Sequence, residues 1–503
     1  MDWSITTTFI VYIVAMLAVG ILASRYTKNL SDYILGGRRL GSFVTALSAG
    51  ASDMSGWLLL GLPGALYLSG ICEAWIAVGL TIGAWFNWKL IASRLRVFTE
   101  ISNNSLTLPD YFTERFRDKR HLLAIISAVV ILLFFVVYCA AGMVSGAKLF
   151  SQTFGMEYEH ALYAGCAATI AYVFIGGFLA VSWTDTIQAS LMAFALILTP
   201  IMLIVAVGGV SEAMEAIKTV KPQAADLFSG DSAVATAVML ISCLGWGLGY
   251  MGQPHILVRF MAANSSKQMA KSRRICITWM IITLTGACAI GFFGIAYVAM
   301  HPELAALNVK GHEETVFIDI SKSLFNPWIA GILLSAILAA IMSTLSCQLL
   351  VASSALTEDF YHHYLRPKAS QKELVICGRA TLLAVAVIAV VIAMDPDSSV
   401  LGLVSWAWAG FGAAFGPIVL MSLFWRKMNL TGALSGIIAG VATVILWSTF
   451  KDDLLGLYEL VPGFIVNCLV IFAVSSITHK ETSECAAYFD KLNDAYRKSK
   501  IGD

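Results

Sequence analysis

Three observations predict an all-α polytopic membrane protein of about thirteen transmembrane helices. The 503 residues are 58% hydrophobic and 13% charged, with a mean hydropathy of +0.78, whereas globular domains carry about 25% charged residues. Many apolar runs exceed the ~18 residues that argue for a membrane helix. Lysine and arginine gather in alternate loops, as an excess of positive charge on the cytoplasmic side requires. The net charge of +1 says little about partners, and nothing in the chain argues for nucleic acid.

The first apolar run, 6–24, lacks a basic leading region and a small-residue cleavage site, so it reads as a retained span rather than a signal peptide. Further spans are expected at 42–69, 72–92, 122–150, 160–182, 185–208, 233–256, 275–299, 327–356, 376–394, 400–424, 430–449 and 456–477. The loop after span one holds Arg25, Lys28, Arg38 and Arg39, and the loop after span three holds Arg94, Arg96, Arg115, Arg117, Lys119 and Arg120. Basic clusters recur before spans eight, ten and twelve and in the tail, while the intervening loops hold pairs such as Lys218 with Lys221 and Lys310 with Lys322. The amino terminus is therefore expected outside and the carboxyl terminus in the cytoplasm. The tail beyond about residue 480 reads as a solvated or interface-lying helix. Most of the ten cysteines fall in apolar runs without paired spacing and read as small buried hydrophobes. The eight histidines lack metal spacing, and no nucleophile–base pair or phosphate loop stands out, so no enzyme is expected.

Two spans are interrupted. "SAGASDMSGWLLLGLPG", 48–64, holds four glycines, a proline and Asp53, and "GWGLGYMGQP", 245–254, breaks span seven. They lie five spans apart and so cross in opposite directions, the signature of an inverted-topology repeat with spans two to six and seven to eleven as its halves. A broken membrane helix survives only where its freed backbone groups are buried in protein or line a cavity. Half-helix starts favour an anionic group and unwound carbonyls a cation, which suits a zwitterionic amino acid carried with a metal cation. The alternative is that the glycines serve close helix packing.

A charge at the bilayer centre costs roughly 2.5–3.5 kcal/mol on insertion scales, so Asp53 is a functional-site candidate. With no mid-span cation to pair with it, the acid reads as a cation ligand or as a cap for freed amides. In span nine, "LAAIMSTLSCQ" places the hydroxyls of Ser343 and Thr344 one turn after Ala340, with no charge between Lys322 and Glu358. Neutral oxygens of this kind suit a monovalent cation and serve calcium or a transition metal poorly. The same hydroxyls can instead bond back to their own helix.

"GGFLAVSWTDTIQ", 176–188, together with "ASDMSGW" and "GQPHILVRFMA", closely resembles the sodium/solute symporter family, and the resemblance runs from "DYILGGRRLG" through "PWIAGILLSAILAAIMSTLSCQLL" to "GLYELVPGFI". It implies a LeuT-like five-plus-five inverted-repeat core with one extra helix before it and two after. On that scheme 1–40 is the extra helix and first cytoplasmic loop, 41–208 and 209–427 are the repeats, 428–478 holds spans twelve and thirteen, and 479–503 is the tail. The resemblance implies a sodium site of Ala51 and Met54 backbone oxygens with Ala340, Ser343 and Thr344, Asp53 being its organiser or a ligand. Asp185 is either an acid on the ion path or a first-turn helix acid at the start of span six. Cys347 replaces a hydroxyl that relatives use for a second ion, so one sodium is expected.

The resemblance also places a solute among Ser55, Gly56, Trp57 and Gly61, Tyr138, and Trp246, Tyr250, Gln253 and Pro254, with Arg38 a gate or an orienting charge at the inner mouth. L-proline is the expected solute, its ammonium against an aromatic face and its carboxylate on freed amides. Pantothenate or sialic acid is the alternative, and a channel or transporter-like sensor a remote one. The expected setting is a bacterial inner membrane, the expected activity inward transport with Na+ by alternating access, with no organic cofactor. Oligomeric state is not legible.

Overall fold

The computed structural model describes residues 2–501 apart from 27–28, 310, 452–453, 455 and 481–483; Lys28 and Lys310, and 481–483 and 502–503 of the tail, lie outside the described residues. Eleven helices among those described are long and apolar enough to cross a bilayer. Of the other two expected crossings, one is the interrupted span two and the other is the first part of a helix shared by spans five and six. Span one is Trp3–Ser24, capped by the Asp2 carboxylate on the Ser4 amide. Span two runs as Ser42–Asp53, a break, a wide π-type turn Trp57–Gly61 and Leu62–Ser69.

Span three, Ala74–Phe86, continues through a π-type turn at Asn87–Ala92 into Ser93–Ile101, well past the expected end at 92. Span four is Leu122–Phe154. Spans five and six occupy Tyr158–Ala206, kinked where Gly177 takes φ 67°, a conformation that favours glycine. The expected turn near Trp183 is therefore corrected to Gly177, because the glycine and not the polar residues sets the bend. Asp185 then lies two turns inside span six and not at its start.

Span seven is Ala233–Gly245, a tight 3-10 stretch Trp246–Gly252, and a second half Pro254–Ala262 reaching beyond the expected 256. Span eight is Met269–Met300. Span nine, Pro327–Ser354, begins with a proline in the first turn and the Asn326 side chain accepting the Trp328 and Ile329 amides, then widens into a π-type stretch Ala355–Leu365. Spans ten to thirteen are Gln371–Ile392, Val400–Phe424, Leu430–Thr449 and Leu460–Thr478.

Burial separates the centre from the rim. Span nine is 89% buried over its most apolar stretch and span eleven 83%, against 28% for spans one and ten. Spans nine and eleven thus form the centre, with spans four and eight next at 61% and 56%; at the breaks of spans two and seven most residues are buried, although span seven over Ala233–Gly252 is 33% buried. Close approach explains the glycines of the second break: a Cβ on Gly249 would sit 2.0 Å from the Trp408 indole nitrogen, and one on Gly83 of span three 2.1 Å from the Gly247 carbonyl oxygen.

The tail departs from expectation. Glu484–Ile501 is a docked helix. Arg115 lies over Phe489 at 4.8 Å and Arg94 over Tyr496 at 4.8 Å, while Arg426 pairs with Asp490 at 3.0 Å. Aromatic faces offered to partly desolvated guanidinium groups hold this helix against the basic loops.

Candidate functional site

Span two ends its first half at Asp53 because Met54 leaves helical geometry at φ −82°, ψ 77°. Beyond it the Ser55 amide bonds the Asp53 carbonyl at 3.0 Å, and the Trp57 indole donates to the same oxygen at 3.3 Å. Of the last turn's carbonyls, that of Ala51 faces span nine. Ser343 and Thr344 both meet the Ala51 carbonyl, at 2.9 and 3.1 Å, and the Ser343 hydroxyl also reaches the Ala340 carbonyl at 3.0 Å. One hydroxyl proton cannot serve two carbonyls fully. Four neutral oxygens of the expected sodium set therefore converge from two helices, all of them buried. Met54, the fifth member, stands buried at the break itself.

Asp53 is buried beside this cluster. One carboxylate oxygen accepts a short hydrogen bond from the Tyr250 hydroxyl of span seven, and the other has no partner. Neither oxygen takes a backbone amide, so the carboxylate joins the two broken spans and does not cap the first. The Tyr138 hydroxyl, near Ser55 and Asp53, is also buried without a partner, as are Gln253 Oε1 and both ring nitrogens of His255. His255 packs against Tyr138 at 5.8 Å and Phe135 at 5.6 Å. Four residues with unpartnered buried polar atoms, Asp53, Tyr138, Gln253 and His255, thus gather at the crossing of the two broken helices.

An aromatic wall closes the region. Trp57 and Trp246 lie 6.3 Å apart, Trp246 stacks on Tyr458 at 5.2 Å, and Tyr250 meets Trp408 edge-on at 5.1 Å. Gln253 holds the Trp408 carbonyl at 3.1 Å through its amide nitrogen. Gly56 lies against span four, where a Cβ would come 2.4 Å from the Ser145 hydroxyl. Ser55, Trp57, Tyr138, Trp246, Tyr250 and Gln253 are thus brought together around Asp53. Gly61 and Pro254 are not. Gly61 faces Leu401 at the start of span eleven, and Pro254 opens the second half of span seven beside a small cavity shared with Ile34, Thr107 and Val258.

Asp185 belongs to a separate buried set. Arg259, from the second half of span seven, reaches its carboxylate at 3.3 Å with both side chains fully buried. Ser48 donates to the same oxygen at 2.7 Å and accepts from Arg259 Nε at 3.2 Å, while Arg259 also bonds the His255 carbonyl at 2.8 Å and contacts the Cys347 sulfur. Sequence reading missed Arg259 and His255. "PHILVRF" carried both, but their partners lie far away in sequence. Two residues beyond Arg259 along span seven, the Met261 carbonyl accepts from Arg38, which, itself at φ 54°, also bonds Asn104, Thr99 and Ser105, all at 2.6–3.1 Å. Burial, reinforced by the neighbouring Arg96, brings this guanidinium down to about 10, so it keeps its charge at neutral pH.

The model of the sodium:solute symporter family matches residues 33–440. The chain belongs to that family. Among its relatives, the sodium/proline symporter of Salmonella typhimurium is 62% identical over 489 residues, covering 97% of this chain and 96% of the relative. The sodium/proline symporter of Escherichia coli strain K12 is 61% identical, covering 96% of each chain. The high-affinity proline transporter PutP of Bacillus subtilis is 49% identical over 95% of this chain and 98% of its own. Among solved structures, a Na+-coupled sialic acid symporter in a substrate-bound outward-open state superposes with a TM-score of 0.77 at 18% identity, covering 95% of this chain and 98% of that one. A nucleobase-cation-symport-1 family transporter in a closed conformation gives 0.52 at 12% identity, covering 92% and 99%. At such identities the likeness carries the fold alone, and the fold is that of inverted-repeat sodium symporters. As a member of this family the protein is a multi-pass membrane transporter.

Proposed function

We propose that the protein carries L-proline inward together with Na+ by alternating access. The observation that carries the sodium half is the meeting of Ser343 and Thr344 with the Ala51 carbonyl at the break of span two. Sodium takes the place of the hydroxyl hydrogens that fill this oxygen cluster, with Met54 completing the set and Asp53 organising it from the Tyr250 side. Proline is supported by the named relatives and by the chemistry of the wall. Trp57, Trp246 and Tyr250 offer apolar faces for the pyrrolidine ring, and Asp53 Oδ1 and the Tyr138 hydroxyl lack partners. Asp185, tied to Arg259, positions spans two, six, seven and nine and is not itself an ion ligand in this reading.

The repeats 41–208 and 209–427 supply the rocking halves, with 428–478 and the tail outside the core. The amino terminus is external and the carboxyl terminus cytoplasmic, in a bacterial inner membrane, and Arg38 fastens the cytoplasmic mouth. Inward movement of one positive charge gains about 2.3 kcal/mol per 100 mV of membrane potential. Equilibrium binding of labelled L-proline to purified protein tests the reading: Na+, and not K+, should raise binding, and unlabelled pantothenate or sialic acid should leave it unchanged. Displacement by either solute would reassign the cargo.

A further inference from the structure

Spans three and eight lie side by side at the membrane face of the bundle with a groove of about 440 Å³ between them. Ala74 and Ala77 give it room, Val78 and Ile82 form one wall, and Ile281 and Leu284 the other. Its rims face outward, Val78, Ile82 and Ile281 being 40–50% exposed. One turn beyond Ile82 along span three stands Trp85, and two cations converge on its ring, Lys89 at 4.4 Å and Arg273 at 5.6 Å.

A single indole face attracts a cation by only about 0.5–1 kcal/mol at exposed sites, which does not answer two neighbouring positive charges. No acidic residue occurs between Glu73 and Glu100 or between Asp231 and Glu303, so neither helix carries a counter-charge near the pair. Among the described residues neither cation is ion-paired to a carboxylate. The spacing is informative as well. Ile281 and Cys288 follow Arg273 by eight and fifteen residues on span eight, about 12 and 22 Å along the helix. Half of a ~30 Å hydrocarbon core is about 15 Å. An acyl chain anchored at the level of Arg273 thus reaches the near end of the groove, at Ile82 and Ile281, while the groove's far end, at Ile71 and Cys288, lies beyond the middle of the membrane.

We propose that this groove binds an anionic phospholipid from the leaflet next to the loop that joins spans seven and eight. Its phosphate lies between Lys89 and Arg273, and one acyl chain lies between spans three and eight. A zwitterionic headgroup would bring an ammonium toward two cations, whereas phosphatidylglycerol brings only negative charge. The site bears on transport because Gly79 and Gly83, on the opposite side of span three, pack directly on Leu244 and Gly247 at the break of span seven. The inference does not depend on which solute is carried.

The test uses the full-length protein reconstituted in vesicles of equal parts phosphatidylethanolamine and phosphatidylglycerol, then extracted in mild detergent, with retained lipid counted by native mass spectrometry. Wild-type protein should retain phosphatidylglycerol preferentially. Retention should fall about tenfold or more in Lys89→Gln/Arg273→Gln, and it should fall in Ala77→Trp, which fills the groove and keeps both charges. Lys271→Gln/Arg274→Gln should behave as wild type. Unchanged retention in either of the first two variants overturns the proposal, and so does an equal loss in the third, which would mean diffuse attraction to a basic loop. Added phosphatidylglycerol should also raise the melting temperature of delipidated wild-type protein more than inorganic phosphate does; an equal rise with phosphate alone removes the groove from the account. Retained phosphatidylethanolamine and an unchanged gel-filtration profile verify folding of each variant.

Discussion

Asp53 and Asp185 both lie inside the membrane region, yet their surroundings assign them different work. Asp185 is answered by Arg259 and Ser48, whereas Asp53 keeps one oxygen free and shares the other with Tyr250. Removing one member of a fully buried ion pair strands the other charge, at a cost of about 3–5 kcal/mol. Asp185→Asn and Arg259→Gln should each lower stability by about that much in thermal or denaturant unfolding, and the double variant should cost less than the sum of the two. Single variants indistinguishable from wild type would show that the pair holds nothing in place. At the ion cluster, Thr344→Val removes one of two hydroxyls from the Ala51 carbonyl. The sodium concentration for half-maximal binding should rise about tenfold, the equivalent of about 1.4 kcal/mol, while Tyr250→Phe should weaken solute binding more than sodium binding. The hydroxyls were legible because Ser343 and Thr344 are adjacent in an uncharged run. The partner of Asp185 was not, because 74 residues separate it from Arg259 and only the packed spans bring them together.

At the scale of elements, the breaks in spans two and seven are written in glycine and proline, residues whose effect on a helix is local and therefore readable. The kink at Gly177 is local too, but a single glycine in an apolar run carries less signal than the polar Trp183–Asp185 stretch that drew the expected turn. The docked tail was hidden for another reason: its Phe489 and Tyr496 find guanidinium partners hundreds of residues earlier, Arg94 at the end of span three and Arg115 between spans three and four. Close backbone approach at the second break makes a graded forecast. Gly249→Ala drives a methyl into the Trp408 indole, whereas Gly41→Ala meets nothing within 4 Å. The first should cost about 1–3 kcal/mol, the usual range for overpacking, and should depress solute binding; the second should be neutral in the same melting assay. Equal melting temperatures would mean that Trp408 moves aside freely.

Across the whole molecule, the candidate site residues Asp53, Trp57, Tyr138, Tyr250 and Gln253 are at most 3% exposed, so the described conformation closes the central region. Arg38 holds the loop between spans one and two to Thr99, Ser105 and Met261, which lie on spans three and seven and the loop between spans three and four. Arg38→Ala should loosen that mouth, raising the labelling rate of a cysteine placed at Met261 by an impermeant maleimide added from the cytoplasmic side; an unchanged rate would relieve Arg38 of the gate. The central claim remains that sodium held between spans two and nine drives solute entry. It is tested most directly by uptake of labelled L-proline into proteoliposomes with and without an inward sodium gradient, for wild type and for Ser343→Ala/Thr344→Val. Wild type should accumulate proline only with the gradient, and the double variant should not accumulate it at all. Gradient-driven accumulation that survives in the double variant would contradict the assigned ion site, and sodium-independent proline movement in the wild type would contradict the coupling.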